Sequence, residues 1–479
     1  MWEKRSQPAS TSYFFRQSYV DLGNIIKYAW RNNANKASEY GGHISNCFDE
    51  HGLWGIFQAL FYIFATISMY VFGSIICAVI STLHIAALLT FNFAVYLFAL
   101  TLRLFEQIYI SIHKIFGACP YCKNHYKIPV YICSCGAEHT YLVPGKYGIV
   151  KRKCNCGRKM PTSVLTGRAK LRAKCPECGH LLDNSLGVQE AVPICVPVIG
   201  GPSVGKTCYI TAVMKEMIEK VAPQTGISIQ FYNQSNEIAC KKMISLYNMG
   251  ALQDKTSDLN PAAYNFFINN GKNGPQKLFY FYDIAGEAFT TSEALTTQKQ
   301  YEYSHGFIFM VDPLSIPRVR EKYGTDAMYD LYAASTADIN ETFDSFMRNL
   351  STISGLSSKE LSKIACAIVV NKIDAYDLSA KIGQKAIEKM LLLEENKKYT
   401  LETMMDMQVK QYLNSNGMSN FVKNVAMCFK HTRFYAVSSL GHIKNGQVFE
   451  SNMVLAPFAW IVSRVDGDMR TVFKQYYEK

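Results

Sequence analysis

No Asp, Glu, Lys or Arg occurs between residues 51 and 102. A helix that faces water on one side does not go so long without charge, so an ordinary soluble surface helix is excluded for this run. As helix it would extend about 78 Å at ~1.5 Å per residue, whereas one crossing of a ~30 Å hydrocarbon core takes about 20 residues. Two transmembrane helices are therefore expected within residues 51–112, near 53–79 and 83–102, with a turn around residues 81–84. A buried helical hairpin and a re-entrant or interfacial pair are the other readings of the same residues. Lys27, Arg31 and Lys36 precede the run, and Arg103 and Lys114 follow it. That distribution puts both flanks on the cytosolic side and makes residues 1–50 a cytosolic N-terminal segment.

A secretory signal is also missing: the first fifty residues are polar and mixed in charge. The fifteen cysteines are accordingly read as reduced thiols, not as the disulfides of a secreted protein. Internal repeats and low-complexity tails are lacking as well, which sets aside solenoids and disordered tails. With 49% hydrophobic and 13% aromatic residues among 479, the chain has material for about two to four structural units.

Acidic residues are scarce between residues 114 and 180, where Glu138 and Glu177 stand against thirteen Lys and Arg. Nearly all of the net charge of +12 is therefore local, and a local excess points to a polyanionic partner. Lys151, Arg152, Lys153, Arg158, Lys159, Arg168, Lys170, Arg172 and Lys174 suit the anionic headgroups of a lipid bilayer beside an apolar helix. Nucleic acid is the second choice of partner, and a solvated basic face is the plain alternative.

Residues 117–182 also pair their cysteines: Cys119 with Cys122, Cys133 with Cys135, Cys154 with Cys156, and Cys175 with Cys178. Gly136, Gly157 and Gly179 follow three of these pairs, as tight metal knuckles require. Eight thiolates make two closed tetrahedral zinc sites, which are structural and not catalytic. Successive pairing and nested pairing, outer with outer and inner with inner, satisfy the count equally. A small double zinc ribbon is expected, with disulfides as the alternative.

From residue 190 to 479 apolar strand-like runs alternate with helical stretches, the pattern of an α/β domain with a mostly parallel, doubly wound sheet. Strands are expected at residues 191–199, 262–268, 277–283, 306–312, 364–370 and 433–439, with a helical insertion over residues 375–431. The turn-rich NNGKNGP between the second and third makes those two an antiparallel hairpin.

Three short runs stand at the ends of these strands. In GGPSVGKT, Gly200, Gly201, Pro202, Ser203, Val204 and Gly205 form a loop whose N–H groups can surround phosphate oxygens at a helix N-terminus. Lys206 would reach the β- and γ-phosphates and Thr207 would place its hydroxyl on Mg2+, with Cys208 continuing the helix. In DIAG, Asp283 suits a magnesium ion held through water, and Gly286 can offer its N–H to the γ-phosphate. In NKID, Asp374 can accept two hydrogen bonds that guanine offers and adenine does not. Lys372 can lay its stem along the base, and Asn371 can tie this loop to the phosphate loop. Ser438, Ser439 and Leu440 end the last strand, where a backbone N–H would meet the guanine carbonyl. Each run has a plain alternative, such as a glycine turn or a helix N-cap made by Asp374. In this order they describe one site for GTP or GDP with Mg2+.

The constellation resembles the translation-factor-related class of P-loop GTPases over about residues 190–470. That resemblance implies a mobile threonine ahead of the hairpin that closes on magnesium and the γ-phosphate. Thr256 is the candidate, with Thr225 and Ser257 as alternatives. It also marks a departure: Ras-like relatives carry Gln after the DIAG glycine, and here it is Glu287. A carboxylate there can act as base, position water or be structural, and slow hydrolysis that needs a partner is expected. With CPYC, CSCG, CNCG and CPECG ahead of the phosphate loop, and with YDIAGE and PFAWIVSRVDG, the chain resembles the bacterial double-GTPase families of conflict or defence systems, in which paired GTPases are encoded together. The resemblance implies a regulatory GTPase anchored in the inner (cytoplasmic) membrane, with a partner GTPase or effector. A membrane-remodelling GTPase and a nucleotide-gated scaffold with negligible turnover are the rival functions.

Overall fold

The structure, a computed structural model, describes residues 7–47, 52–112, 115–119, 121–122, 124–182, 191–251, 262–270, 277–283, 304–326, 328–354, 357–396, 398–443 and 447–478. The chain divides into two compact units, Met1–Ile112 with Val130–Arg172, and His113–Pro129 with Ala173–Lys479.

The first unit is built on two helices, α1 (Gln17–Cys47) and α2 (Leu53–Ile112). α2 runs for 60 residues, about 90 Å at ~1.5 Å per residue, with one π-turn at Met69–Gly73. By length and composition it is able to cross a membrane, and its apolar face is unburied. This corrects the expected pair of transmembrane helices: no turn interrupts residues 81–84. The segment Ser74–Ile112 contains neither Gly nor Pro, and the polar residues that suggested a turn are satisfied within the helix. The Thr82 hydroxyl donates to Ala78 O at 2.8 Å, and His84 Nδ1 lies 2.8 Å from Ile80 O.

The partner of α2 is α1, which runs back along it. Tyr40 and His43 stand beside Tyr62, with ring centroids 6.4 and 5.2 Å apart. Asn33 Nδ2 donates to Ser74 Oγ at 3.4 Å, and Trp30 Nε1 to Ser81 Oγ at 3.3 Å. Phe14 meets Phe91 at 5.1 Å. The approach is close enough that a Cβ at Gly73 would lie 2.1 Å from Asn33 Oδ1.

The rest of this unit is a set of short ribbons. Val130–Ile132 pairs with Glu138–His139, and Lys151–Lys153 with Lys159–Pro161, each antiparallel. In the second ribbon Arg152 and Met160 are buried while Lys151, Lys153 and Lys159 are exposed, the two-residue alternation of a one-sided strand. Arg152 and Arg168 are thus withdrawn from the basic surface, each only 1% exposed.

The second unit holds a seven-stranded sheet: β1 (Val192–Ile199), β2 (Ser228–Phe231), β3 (Ala262–Asn269), β4 (Lys277–Asp283), β5 (Gly306–Val311), β6 (Ala365–Val370) and β7 (His431–Ala436). Its order is β2-β3-β4-β1-β5-β6-β7. β4, β1, β5, β6 and β7 are mutually parallel, and β2, β3 and β4 are joined antiparallel. The expected hairpin is present as β3 and β4; edge strand β2 was not foreseen.

β1 is buried along its whole length because helices cover both faces of the sheet. On β5, Phe307 and Phe309 meet Phe346 and Phe343 of α5 (Ile339–Ser354) at 5.3 Å each. Gly306, on the opposite face, lies against Ile461 of α6 (Leu455–Val465). The phosphate loop is followed by α3 (Lys206–Glu216), and α4 (Gln234–Asn248) lies between β2 and β3 in sequence.

Candidate functional site

The C-terminal ends of β1, β4 and β6 are where the expected nucleotide loops begin. After Ile199 the chain turns through residues 200–205 with Gly200, Ser203 and Gly205 at φ of 155°, 59° and 90°. It enters α3 at Lys206. Lys206 is 8% exposed, and its ammonium donates to Gly200 O at 3.0 Å and Gly201 O at 2.8 Å. The lysine thus lies over the loop that would hold phosphate, with its charge on loop carbonyls. Thr207 follows in the first turn of α3, and Cys208 after it.

NKID begins directly after β6. Asn371 is buried, donates from Nδ2 to Val204 O at 2.9 Å, and accepts at Oδ1 from Ser439 N at 3.0 Å and Ser439 Oγ at 2.9 Å. One carboxamide therefore joins the phosphate loop, the NKID loop and the end of β7. A Cβ at Gly205 would lie 2.5 Å from Asn371 Nδ2, so glycine is what lets the carboxamide reach the loop. The Ser438 hydroxyl donates to the Asp374 carboxylate. Ser438 N is bonded to Asn452 O at 3.1 Å, so among the described residues the Leu440 N–H is the donor of this run that no hydrogen bond occupies.

Sequence reasoning missed three supporting residues. Tyr247, buried on α4, donates its hydroxyl to Ser439 O at 2.5 Å. Asp312, fully buried after β5, bonds the Lys372 ammonium at 2.7 Å. Ser335 donates from Oγ to Pro202 O at 2.7 Å. The Asp directly after an apolar strand was the one signal available for Asp312.

Residues 194–426 match the model of the family Double-GTPase 2. The match begins within β1 and takes in the phosphate loop and NKID, ending ahead of β7. It supports a double-GTPase family for the α/β unit, and GTP binding with it. It does not extend to α2 or the cysteine pairs. No curated protein matches the chain.

Asp283 ends β4 in register with Val198, two residues ahead of the phosphate loop. Thr256, Ser257, Gly286 and Glu287 lie outside the described residues. Thr225 closes a short helix with its hydroxyl on Val221 O at 2.7 Å.

The eight cysteines gather in two clusters, and the pairing is nested. Cys119, Cys122, Cys175 and Cys178 form one, in the second unit; Cys133, Cys135, Cys154 and Cys156 form the other, in the first. In each, all four sulfurs lie within 4.8 Å of one another. The closest sulfurs are 3.6 and 3.8 Å apart in the first cluster, and 3.6 and 3.7 Å in the second. A zinc ion with bonds of about 2.3 Å to four tetrahedral sulfurs spaces them about 3.8 Å apart, so the residues fit the ion. Each knuckle is a tight turn: Gly136 N bonds Cys133 O, and Gly157 N bonds Cys154 O, both at 2.8 Å.

The thiols within a cluster differ. Burial drives Cys154 up to about 12. At Cys133 burial is outweighed by hydrogen bonds from the Cys135 backbone and neighbouring thiols, which bring it down to about 7. At Cys178 burial is likewise outweighed, by bonds from His180 and neighbouring thiols, and the thiol falls to about 6. Each cluster thus carries a thiol inclined to the thiolate form that binds metal.

Proposed function

We propose that this chain is a membrane-anchored switch that binds GTP and hydrolyses it slowly, and that a partner GTPase or effector completes its cycle. The observation that carries the reading is Asn371, whose side chain ties Val204 of the phosphate loop to Ser439 beside the base loop. A protein needs that tie when one ligand spans both loops, with phosphates at one end and a base at the other. Asp374, steadied by the Ser438 hydroxyl, supplies the acceptors that select guanine over adenine. Lys206 would move from the carbonyls of Gly200 and Gly201 to the phosphate chain. Thr207 and Asp283 would hold Mg2+, which when bound neutralises charge on the phosphates. Two zinc ions would hold the thiolate clusters in a structural role. α2 would fix the chain to the inner membrane of a bacterium, with the ribbons of residues 130–172 and the second unit cytosolic and the exposed lysines facing anionic headgroups. A regulatory role in a conflict or defence system is the setting we favour.

Hydrolysis of GTP by the full-length chain, by Lys206→Ala and by Glu287→Gln tests the reading. Wild-type turnover well above Lys206→Ala is expected. A wild type that binds GTP but turns over no faster than Lys206→Ala would instead be a nucleotide-gated scaffold.

A further inference from the structure

We propose that Asp312 is a positioning residue for the guanine base: it holds the Lys372 ammonium so that the lysine's methylene stem stands ready as the surface on which the base lies. The proposal rests on the GTP reading above. Asp312 is 0% exposed, and burying a carboxylate is costly unless its oxygens are satisfied. Oδ1 accepts from Leu314 N at 2.9 Å, while Oδ2 accepts from Ser335 N at 2.9 Å and from Lys372 Nζ at 2.7 Å. The backbone contacts alone need only a neutral acceptor, such as Asn or Ser. A full negative charge at this buried point is called for by the ammonium.

Lys372 is held as firmly from its own side. Its ammonium donates to Asp312, to Ser203 O at 2.7 Å and to Ala333 O at 2.9 Å, which uses all three of its donors. Its φ is +57°, a left-handed backbone that a residue with a side chain keeps only where its surroundings over-determine it. With the head fixed, the stem between loses its rotamer freedom before any ligand arrives, and a base that lies on it has less order left to impose. Ser335 closes the circuit: its N–H is on Asp312, and its hydroxyl is on Pro202 O at 2.7 Å.

The test is release of a ribose-labelled fluorescent guanosine diphosphate, by stopped flow, from the full-length chain in detergent. Wild type, Asp312→Asn, Lys372→Ala and the double variant are compared. Asp312→Asn is expected to release nucleotide about 10- to 100-fold faster. The double variant should be no faster than Lys372→Ala alone, because Asp312 acts through the lysine. Release from Asp312→Asn at the wild-type rate overturns the proposal. So does a double variant whose two losses multiply, since that marks a general loosening of the fold. If Asp312→Asn does not fold, Lys372→Met decides, because it keeps an apolar stem and removes the ammonium. Faster release supports the proposal and wild-type release overturns it. A wild type that binds no guanosine diphosphate, with its melting transition intact, removes the GTP reading itself, so the two failures are told apart.

Discussion

The Glu106 carboxylate meets the Arg168 guanidinium at 2.9 Å, with the two side chains 5% and 2% exposed. Glu106 lies near the end of α2 and also accepts Val164 N at 3.0 Å. Arg168 donates to Leu142 O at 2.6 Å and Thr162 O at 3.0 Å, and lies over the Tyr131 ring at 5.7 Å. The end of the long apolar helix is therefore joined to the ribbons of its own unit by a buried and satisfied charge pair. Arg103 of the same helix adds a bond to Pro144 O.

Removing one member leaves the other charge buried without a partner. Glu106→Gln and Arg168→Met are each expected to destabilise the first unit by about 3–5 kcal/mol. Glu106→Leu combined with Arg168→Met should cost less than the sum of the single changes, because no charge is then stranded. Chemical denaturation in detergent, followed by protease cleavage within residues 130–172, measures this. Wild-type resistance in both single variants would show that the pair is not what joins helix to ribbon.

Much of this was legible in the sequence, and the rest failed for identifiable reasons. The apolar strands and the β3–β4 hairpin could be read because buried parallel strands are unbroken apolar runs and the turn formers between them are local. Residues 81–84 misled because Ser81, Thr82 and His84 look like turn chemistry, yet each finds a partner on the helix itself or on α1. α1 was overlooked because its 31 residues are polar and mixed in charge, so its partner, not its own periodicity, makes it visible. Arg152 and Arg168 were counted as surface charges because composition cannot tell a paired buried arginine from a solvated one. Asn371, Asp374 and Lys206 were singled out by motif spacing, whereas Asp312, Tyr247 and Ser335 touch the same loops from positions remote in sequence.

The nested cysteine pairing makes a stoichiometric prediction. Cys122 and Cys175 belong to one cluster, although successive pairing would have put them in different ones. The double variant Cys122→Ser, Cys175→Ser should therefore lose one zinc and keep one. Cys122→Ser, Cys135→Ser should lose both. Metal content by elemental analysis after gel filtration checks this, and loss of both ions from the first double variant would contradict the nested geometry.

Asp374 and Ser438 predict how base selectivity fails. Replacing the carboxylate by an amide in Asp374→Asn turns one acceptor into a donor. Affinity for guanosine diphosphate should fall at least about a hundredfold, with preference moving to xanthosine diphosphate, whose carbonyl replaces the guanine amine. Ser438→Ala removes the hydroxyl that donates to Asp374 and accepts from Gly441 N at 2.7 Å. The lost hydrogen bond to a charged group is worth about 1.5–3 kcal/mol, so affinity should fall about tenfold or more with the base preference unchanged. Equilibrium titration with both labelled nucleotides separates the two effects, and unchanged selectivity in Asp374→Asn would remove Asp374 from the base site.

His139 gives the first unit a defined sensitivity to acid. Its ring is buried, and among the described residues neither nitrogen has a hydrogen-bond partner. Burial, with the nearby Arg152 charge second, lowers its pKa from 6.5 to about 4. Between those two values the unfolded chain takes up a proton that the folded chain refuses. Stability therefore falls as pH drops through that window and rises as pH climbs back through it. His139→Leu keeps the volume apolar and removes the group that must stay neutral, so it should flatten the stability profile from about 6.5 to about 4 at little cost near pH 7. Denaturation midpoints of wild type and His139→Leu across that range measure the difference. Parallel slopes for the two proteins would assign the acid sensitivity to other groups, the cysteine thiols first among them.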